Sequence, residues 1–310
     1  MKVGIIGAGG VGTECLFAMA LRGSAREIVV ANRDARRAGA VVTDLQYGTL
    51  LMPAVTIRAG DLEELRDCAV IAITIGLNEQ RGGATDRNDP AGRLRLLEKN
   101  AEIYREIVPR LAAAAPNAIL LVVTDPPDPL ADVARAVAPR ARVLSAGTFL
   151  DTLRFRFHLG QRLGADPRSV EAMVIGEHGM SQVFVWSLAR VGGAPVIPAL
   201  LPKTMGAEAF RERIEEEVKF ANINIIEGTG ASRLGIGVAV ARLVEIILRD
   251  EKAVIPVGSW QERFGVTMSL PSVVGRNGVE RVMPLALSLE EEGALRRSAD
   301  VLKAAQRSAA

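Results

Sequence analysis

Only two of the 310 residues carry an imidazole, His158 and His178, so chemistry that needs a side chain titrating near neutrality has two candidates. His158 lies in RFRFHLGQRLG, an amphipathic helical pattern, and reads as a structural residue. His178 lies between glycines in VIGEHGMS, at the end of a short apolar run. Near the N-terminus, Gly7, Gly9 and Gly12 form GxGxxG between an apolar run and a helical pattern. Such glycines allow a tight turn, close approach of backbone to a pyrophosphate, and close helix–strand packing, with the helix N-terminus facing the phosphates. A dinucleotide is the expected ligand of that turn.

About 20 residues further on, an acidic residue normally meets the adenosine ribose. Here the position holds Asn32, followed by Arg33. Asn32 removes a carboxylate that would repel a 2′-phosphate, and Arg33 offers a planar cationic fork to bind one. NADP(H) is the favoured cofactor on this reading, and NAD(H) stays open. Gly76 and Thr124, the last residues of two predicted strands, complete the expected cofactor set.

The elements that position these groups follow from the apolar pattern. Runs at 2–7, 27–31, 55–60, 70–76, 118–124 and 142–147 lack alternation, as strands buried on both faces do. Amphipathic stretches at 11–22, 35–46, 92–114 and 128–138 separate them, which predicts an α/β, doubly wound parallel (Rossmann) sheet over 1–147. The pattern then mixes helices (149–164, 206–228, 232–249, 288–306) with short strands (172–175, 183–191, 253–259, 271–275, 279–282), an α+β catalytic domain over 148–310. One long glycine-rich, charged stretch, LNEQRGGATDRNDPA at 77–91, has the length of a lid.

Composition narrows the function classes. With 49% hydrophobic and 24% charged residues the chain has the apolar surface to fold. A net charge of +2 gives no case for nucleic acid or a membrane surface, and no apolar run reaches the ~18 residues of a span. Cys15 and Cys68 are too few for a disulfide framework or a cysteine metal cluster, and no metal is expected. A strand beginning almost at once leaves no room for a leader, so a cytoplasmic location is expected.

Residues 144–186, LSAGTFLDTLRFRFHLGQRLGADPRSVEAMVIGEHGMSQVFVWS, carry GTxLDxxRF, LGxxPxSV and GEHG-S in one order and spacing. With GAGGVG, DLQYG (44–48), RLRLLEKNAEI (93–103) and VVTDPPDPL (122–130), they resemble the lactate/malate dehydrogenase family along nearly the whole chain. The long 77–91 loop and the PAGR before the helix resemble its L-2-hydroxyisocaproate dehydrogenase branch. The resemblance implies hydride transfer between a nicotinamide cofactor and a 2-oxo acid/L-2-hydroxy acid pair. It implies His178 as acid/base, Asp151 as its orienting carboxylate, Arg154 as the clamp on the substrate carboxylate, and Arg93 as the lid arginine polarising the carbonyl. The chemistry suits these types. An imidazole exchanges the alcohol proton, a buried carboxylate fixes its tautomer, a guanidinium binds a carboxylate bidentately, and a second cation stabilises charge on oxygen. A homo-oligomer, dimer or tetramer, is implied as well.

Three departures stand out. Asp125 occupies the place of the family's Asn beside the reacting carbon, Met180 replaces the polar residue that often follows GEHG, and Ser232 in GASRLGIG stands near the pocket's small threonine-type residue. Asp125 and Ser232 join Arg93 and Arg154 as expected substrate contacts. The family's specificity residue falls in the lid, where the insertion leaves it unassigned: Gln80 is one candidate, Arg81 or Arg87 would be malate-like alternatives, and lactate-, malate- and hydroxyisocaproate-like acids all stay open. The competing reading, motivated by Asp125 and Met180, is a catalytically silent NAD(P)-binding sensor or structural subunit.

Overall fold

The computed structural model describes residues 1–77, 79–89, 92–197, 199–200 and 206–309. Strands β1 (Lys2–Ile6), β2 (Glu27–Ala31), β3 (Thr56–Gly60), β4 (Cys68–Ile73), β5 (Ile119–Val122) and β6 (Arg142–Ser145) open the chain. Helices α1 (Gly10–Arg22), α2 (Ala35–Gly48), α3 (Leu97–Ala114) and α4 (Pro127–Val137) run between them. The six strands are parallel in the order β3-β2-β1-β4-β5-β6. The order reverses between β1 and β4, so the loops after β1, β4 and β5 open into one crevice at the carboxyl ends of the strands.

The second half contains α5 (Phe149–Leu163), β7 (Val170–Glu171), β8 (Val174–Ile175), β9 (Val183–Phe184), β10 (Arg190–Val191) and β11 (Ala194–Pro195). Then come α6 (Ala207–Lys219), α7 (Ala221–Thr229), α8 (Leu234–Leu248), β12 (Ala253–Gln261), β13 (Val266–Gly275), β14 (Gly278–Val282) and α9 (Leu289–Ser308). Strand β12 runs antiparallel to β6 through Gly258 opposite Ser145, and the sheet continues into β13 and β14. A side chain at position 258 would collide with Ser145 and Asp128, so only glycine lets the two halves share this sheet.

Both faces of the parallel sheet are covered, as its unbroken apolar strands require. On one face Leu16 and Met19 of α1 pack with Val240 and Val244 of α8 over Val3, Ile5 and Val30. On the other, Tyr104 and Leu111 of α3 and Leu130 of α4 cover Ile71, Ile73 and Leu120. Each such fully buried side chain contributes roughly 1.5–3 kcal/mol. Across the α1–α8 seam, Glu245 accepts from Arg22 Nε and Nη2 at 2.7 Å and from Ser24 Oγ at 2.9 Å. The second half has its own aromatic core, in which Phe155 meets Phe184 and Trp186 edge-on with centroids 5.1 and 4.8 Å apart.

Several boundaries differ from the pattern reading. The run 183–191 is two short strands with a 3-10 turn at Trp186–Leu188 between them, because Trp186 turns into the aromatic core. The helix expected over 206–228 breaks at Phe220, which caps both α6 and α7. The helix expected from 92 begins as a 3-10 turn, Gly92–Leu96, that carries Arg93. Strand β13 starts at Val266, five residues before the expected 271, and is stapled there by Asp132, which accepts from the Thr267 amide and hydroxyl. Of the predicted lid, Asn78, Pro90 and Ala91 lie outside the described residues. No helix among the described residues is long and apolar enough to cross a membrane.

Candidate active site

The turn after β1 is built from its glycines. Gly7 has φ +110°, a backbone that side chains rarely adopt, and a side chain on Gly12 would collide with the Gly7 carbonyl. Gly9 is the N-cap of α1 with no side-chain cap, and the space above it is open. Uncapped first-turn amides facing open space fit a pyrophosphate. Asn32 braces this turn: its Oδ1 accepts from the Ala8 amide at 3.1 Å, and its Nδ2 donates to the Asp34 carbonyl at 3.0 Å. Arg33 is exposed beside it. Arg37, which pattern reading missed, donates from Nε to the Ala8 carbonyl at 2.7 Å. Its signal was only its place one turn into α2. Gly76 and Thr124 meet at the crevice floor, where a side chain on Gly76 would collide with the Thr124 methyl. Thr124 Oγ1 donates to the Ile75 carbonyl at 2.6 Å, tying the ends of β4 and β5 together.

His178 follows β8, and Asp151 and Arg154 sit on one face of α5. Nδ1 of His178 lies 2.5 Å from Asp151 Oδ2, and Arg154 Nη1 donates to Asp151 Oδ1 at 3.1 Å. On the far side of the ring, Nε2 meets Nη1 of Arg93. Asp151 only accepts and Arg93 only donates, so these partners put the neutral ring's proton on Nδ1 and leave Nε2 as acceptor. Asp125 closes the group: one oxygen is 3.7 Å from Arg93 Nε, the other 3.7 Å from His178 Nε2.

Electrostatics follow from burial and pairing. Burial opposes the Asp151 anion, but His178, Arg154 and Arg93 outweigh it and hold the carboxyl well below the usual range. Burial pulls Arg93 down, and Asp125, Asp151, Glu79 and Glu177 more than reverse it. Burial lowers Arg154, with Arg93 adding to that and Asp151 opposing. Glu79 of the lid is pushed up by burial and by the neighbouring Asp125 carboxyl. A cavity beside the ring is lined by Asp125, His178, Leu150, Ile236, Ala239 and Val240.

The structure thus gathers His178, Asp151, Arg154, Arg93 and Asp125 at one point, and places Gly7 and Gly9 in the turn after β1, Gly12 in the first turn of α1, and Asn32 after β2 bracing that turn. Ser232 is apart: it lies in the loop before α8 and, among the described residues, has no hydrogen bond to this group. Its neighbour Arg233 pairs with Glu14 of α1 at 3.6 Å. Arg87 turns away to α7, where it meets Asn224 at 2.5 Å and Glu227 at 3.0 Å. Met180 packs toward Gly92 at the base of the lid. His158 pairs with Glu217 at 3.0 Å, joining α5 to α6. Asn100 was visible only as part of RLRLLEKNAEI. Its Oδ1 accepts from the Leu77 amide and its Nδ2 donates to the Asp125 carbonyl, each at 2.7 Å, so it anchors both the lid and Asp125.

An open dinucleotide-type crevice facing a His–Asp pair and two arginines defines a nicotinamide-dependent oxidoreductase of 2-hydroxy acids. Family models describe residues 1–145 as the lactate/malate dehydrogenase NAD binding domain and 148–310 as the lactate/malate dehydrogenase alpha/beta C-terminal domain. The chain belongs to the lactate/malate dehydrogenase family. It is 42% identical over 309 residues to an L-lactate dehydrogenase of Chloroherpeton thalassium, covering 98% of each chain. It is 41% identical over 304 residues to that of Deinococcus radiodurans, covering 98% of this chain and 97% of the relative. A crystal structure of a lactate dehydrogenase from a Medee basin deep-sea metagenome library matches with a TM-score of 0.91 and 32% identity, over 99% of this chain and 98% of that one.

Proposed function

We propose that this dehydrogenase interconverts a 2-oxo acid and its L-2-hydroxy acid, with pyruvate and lactate as the first pair to test. The observation that carries the reading is the imidazole of His178 held between Asp151 and Arg93, beside a crevice fit for a dinucleotide. Relatives named L-lactate dehydrogenase support that pair ahead of bulkier acids. A nicotinamide dinucleotide held by the Gly7–Gly12 turn and Asn32 would supply or accept the hydride at the substrate's C2. The residues do the rest. Arg154 holds the substrate carboxylate and thereby aligns the carbonyl. Protonated His178 gives its proton to the carbonyl oxygen during reduction and takes it back during oxidation. Asp151 keeps the ring oriented and stabilises its charged form. Arg93, on the turn that ends the lid, moves off Nε2 to face the developing oxyanion.

The finer assignments belong to the same reading. Arg33 favours NADP(H) over NAD(H), supported by its exposure beside Asn32. Asp125 touches the substrate near its carbonyl, and Ser232 borders the crevice mouth from the loop before α8. The division between cofactor and catalytic units falls at 147/148, where β6 hands over to α5. A dimer or tetramer is supported by exposed Tyr47, Leu50 and Leu51. The buried free thiols of Cys15 and Cys68 suit a reducing cytoplasm. The test is oxidation of NADH and of NADPH with pyruvate, oxaloacetate, 2-oxoisocaproate and phenylpyruvate. Turnover of one or more supports the reading. Tight cofactor binding without turnover of any would replace it with the silent-sensor alternative.

A further inference from the structure

A second carboxylate reaches His178, through the main chain rather than the ring. Asp128, on the first turn of α4, is fully buried. Its Oδ2 accepts from the His178 amide at 2.9 Å, and its Oδ1 accepts from the Ser145 hydroxyl at the end of β6. Among the described residues it has no ion pair with a cationic side chain. Gly258 of β12 presses against the same carboxylate, where a side chain would collide with both Asp128 and Ser145. Three separate elements therefore converge on one uncompensated buried acid, and the only part of the catalytic group it touches is the backbone of the histidine.

Burying a carboxylate without an ionic partner costs free energy that hydrogen bonds offset only in part. Burial pushes the Asp128 carboxyl up to about 7, against the Ser145 and His178 hydrogen bonds that favour its anion. We propose that Asp128 is a positioning residue for His178, anchoring its main chain between β6 and α4 and, in its ionised form, adding a second negative charge that favours the protonated ring. Its catalytic meaning rests on the dehydrogenase reading above, because reduction needs that protonated ring. The other charges around the ring are Asp151 and Arg154 from α5, Arg93 from the turn after the lid, Asp125 from the loop before α4, and Glu177 next in sequence. Glu177 is engaged by the Ser181 amide at 2.9 Å and the Ser181 hydroxyl at 2.5 Å. Those partners leave Asp128 as the carboxylate on the histidine's own amide.

Asp128→Asn separates charge from position. The amide oxygen can still accept from the His178 amide, and the amide nitrogen can donate to Ser145 Oγ. With only two histidines in the chain, the ring signals can be followed by NMR in the full-length protein, with His158 as internal control. Asp128→Asn is expected to lower the pH at which the His178 ring gains its proton by about half a unit or more, with His158 unmoved. Ser145→Ala withdraws the hydroxyl that favours the Asp128 anion and is expected to give a smaller shift of the same sign. It decides the matter if the first variant does not fold. In turnover, the high-pH limb of kcat/KM for the 2-oxo acid moves down with it, while KM at low pH stays. His178 titration curves that superpose across wild type and the folded variants overturn the proposal. The NMR reading uses no substrate, so a shift seen in a chain without turnover upholds the proposal and counts against the dehydrogenase reading alone.

Discussion

Nδ1 of His178 stands 2.5 Å from Oδ2 of Asp151, and both side chains are almost fully buried. The pair fixes which ring nitrogen faces the crevice. An amide in place of the carboxylate offers both a donor and an acceptor, so the ring loses its enforced tautomer. Asp151→Asn is expected to lower kcat by roughly 100-fold to 10,000-fold with the cofactor still bound. Steady-state kinetics beside a cofactor titration checks this. A loss below tenfold would remove the orienting role.

The same carboxylate gives a pH prediction with a definite sign. Its value in the folded chain lies below the ordinary ~4 of an unfolded aspartate, so its stabilisation is present above pH ~4 and is lost as pH falls through and below that value. The wild-type Tm is therefore expected to fall more steeply on acidification below pH ~4 than that of Asp151→Asn. Parallel Tm curves would contradict it.

Arg154 contacts Asp151 through one nitrogen at 3.1 Å, which leaves the rest of its fork for a ligand. Arg154→Lys keeps the charge but loses the bidentate geometry. KM for the 2-oxo acid is expected to rise about tenfold or more. An unchanged KM would place the carboxylate elsewhere.

Asp125 lies 3.7 Å from both Arg93 Nε and His178 Nε2, so it competes with an anionic substrate for the same cation. Asp125→Asn is expected to lower the KM for pyruvate several-fold, because a like-charge repulsion is removed. A rise in KM would show that the carboxylate helps to hold the substrate.

Arg33 is exposed, whereas Arg37 is committed to the Ala8 carbonyl. Arg33→Ala is expected to reduce the NADPH to NADH ratio of kcat/KM about tenfold. A ratio that does not change would end the 2′-phosphate assignment.

Much of this was legible in the sequence because chemistry restricts residue choice. The glycine at 12 must be small where helix α1 crosses the Gly7 carbonyl, and His178 was one of two imidazoles. That the first six strands form a parallel sheet covered on both faces followed from their unbroken apolar runs, but their order did not. Long-range pairing was not legible. Nothing local reports that Gly258 faces Ser145 across the sheet, that Arg87 turns to α7, or that Asp128 meets the His178 amide. Asn100, Arg37 and Asp128 act through hydrogen bonds to backbone atoms, and such bonds leave no periodicity. Arg93 was set apart from its neighbouring arginines in the sequence only by the family resemblance; in the fold its turn aims it at the ring, while Arg95 bonds to Asp89.

The most direct measurement of the central claim is NADH and NADPH oxidation with pyruvate by the wild type and by His178→Asn, at equal cofactor occupancy. Turnover is expected from the wild type, with a loss of roughly 1,000-fold or more in the variant, whose side chain cannot supply a proton near neutrality. Full activity in His178→Asn would contradict it.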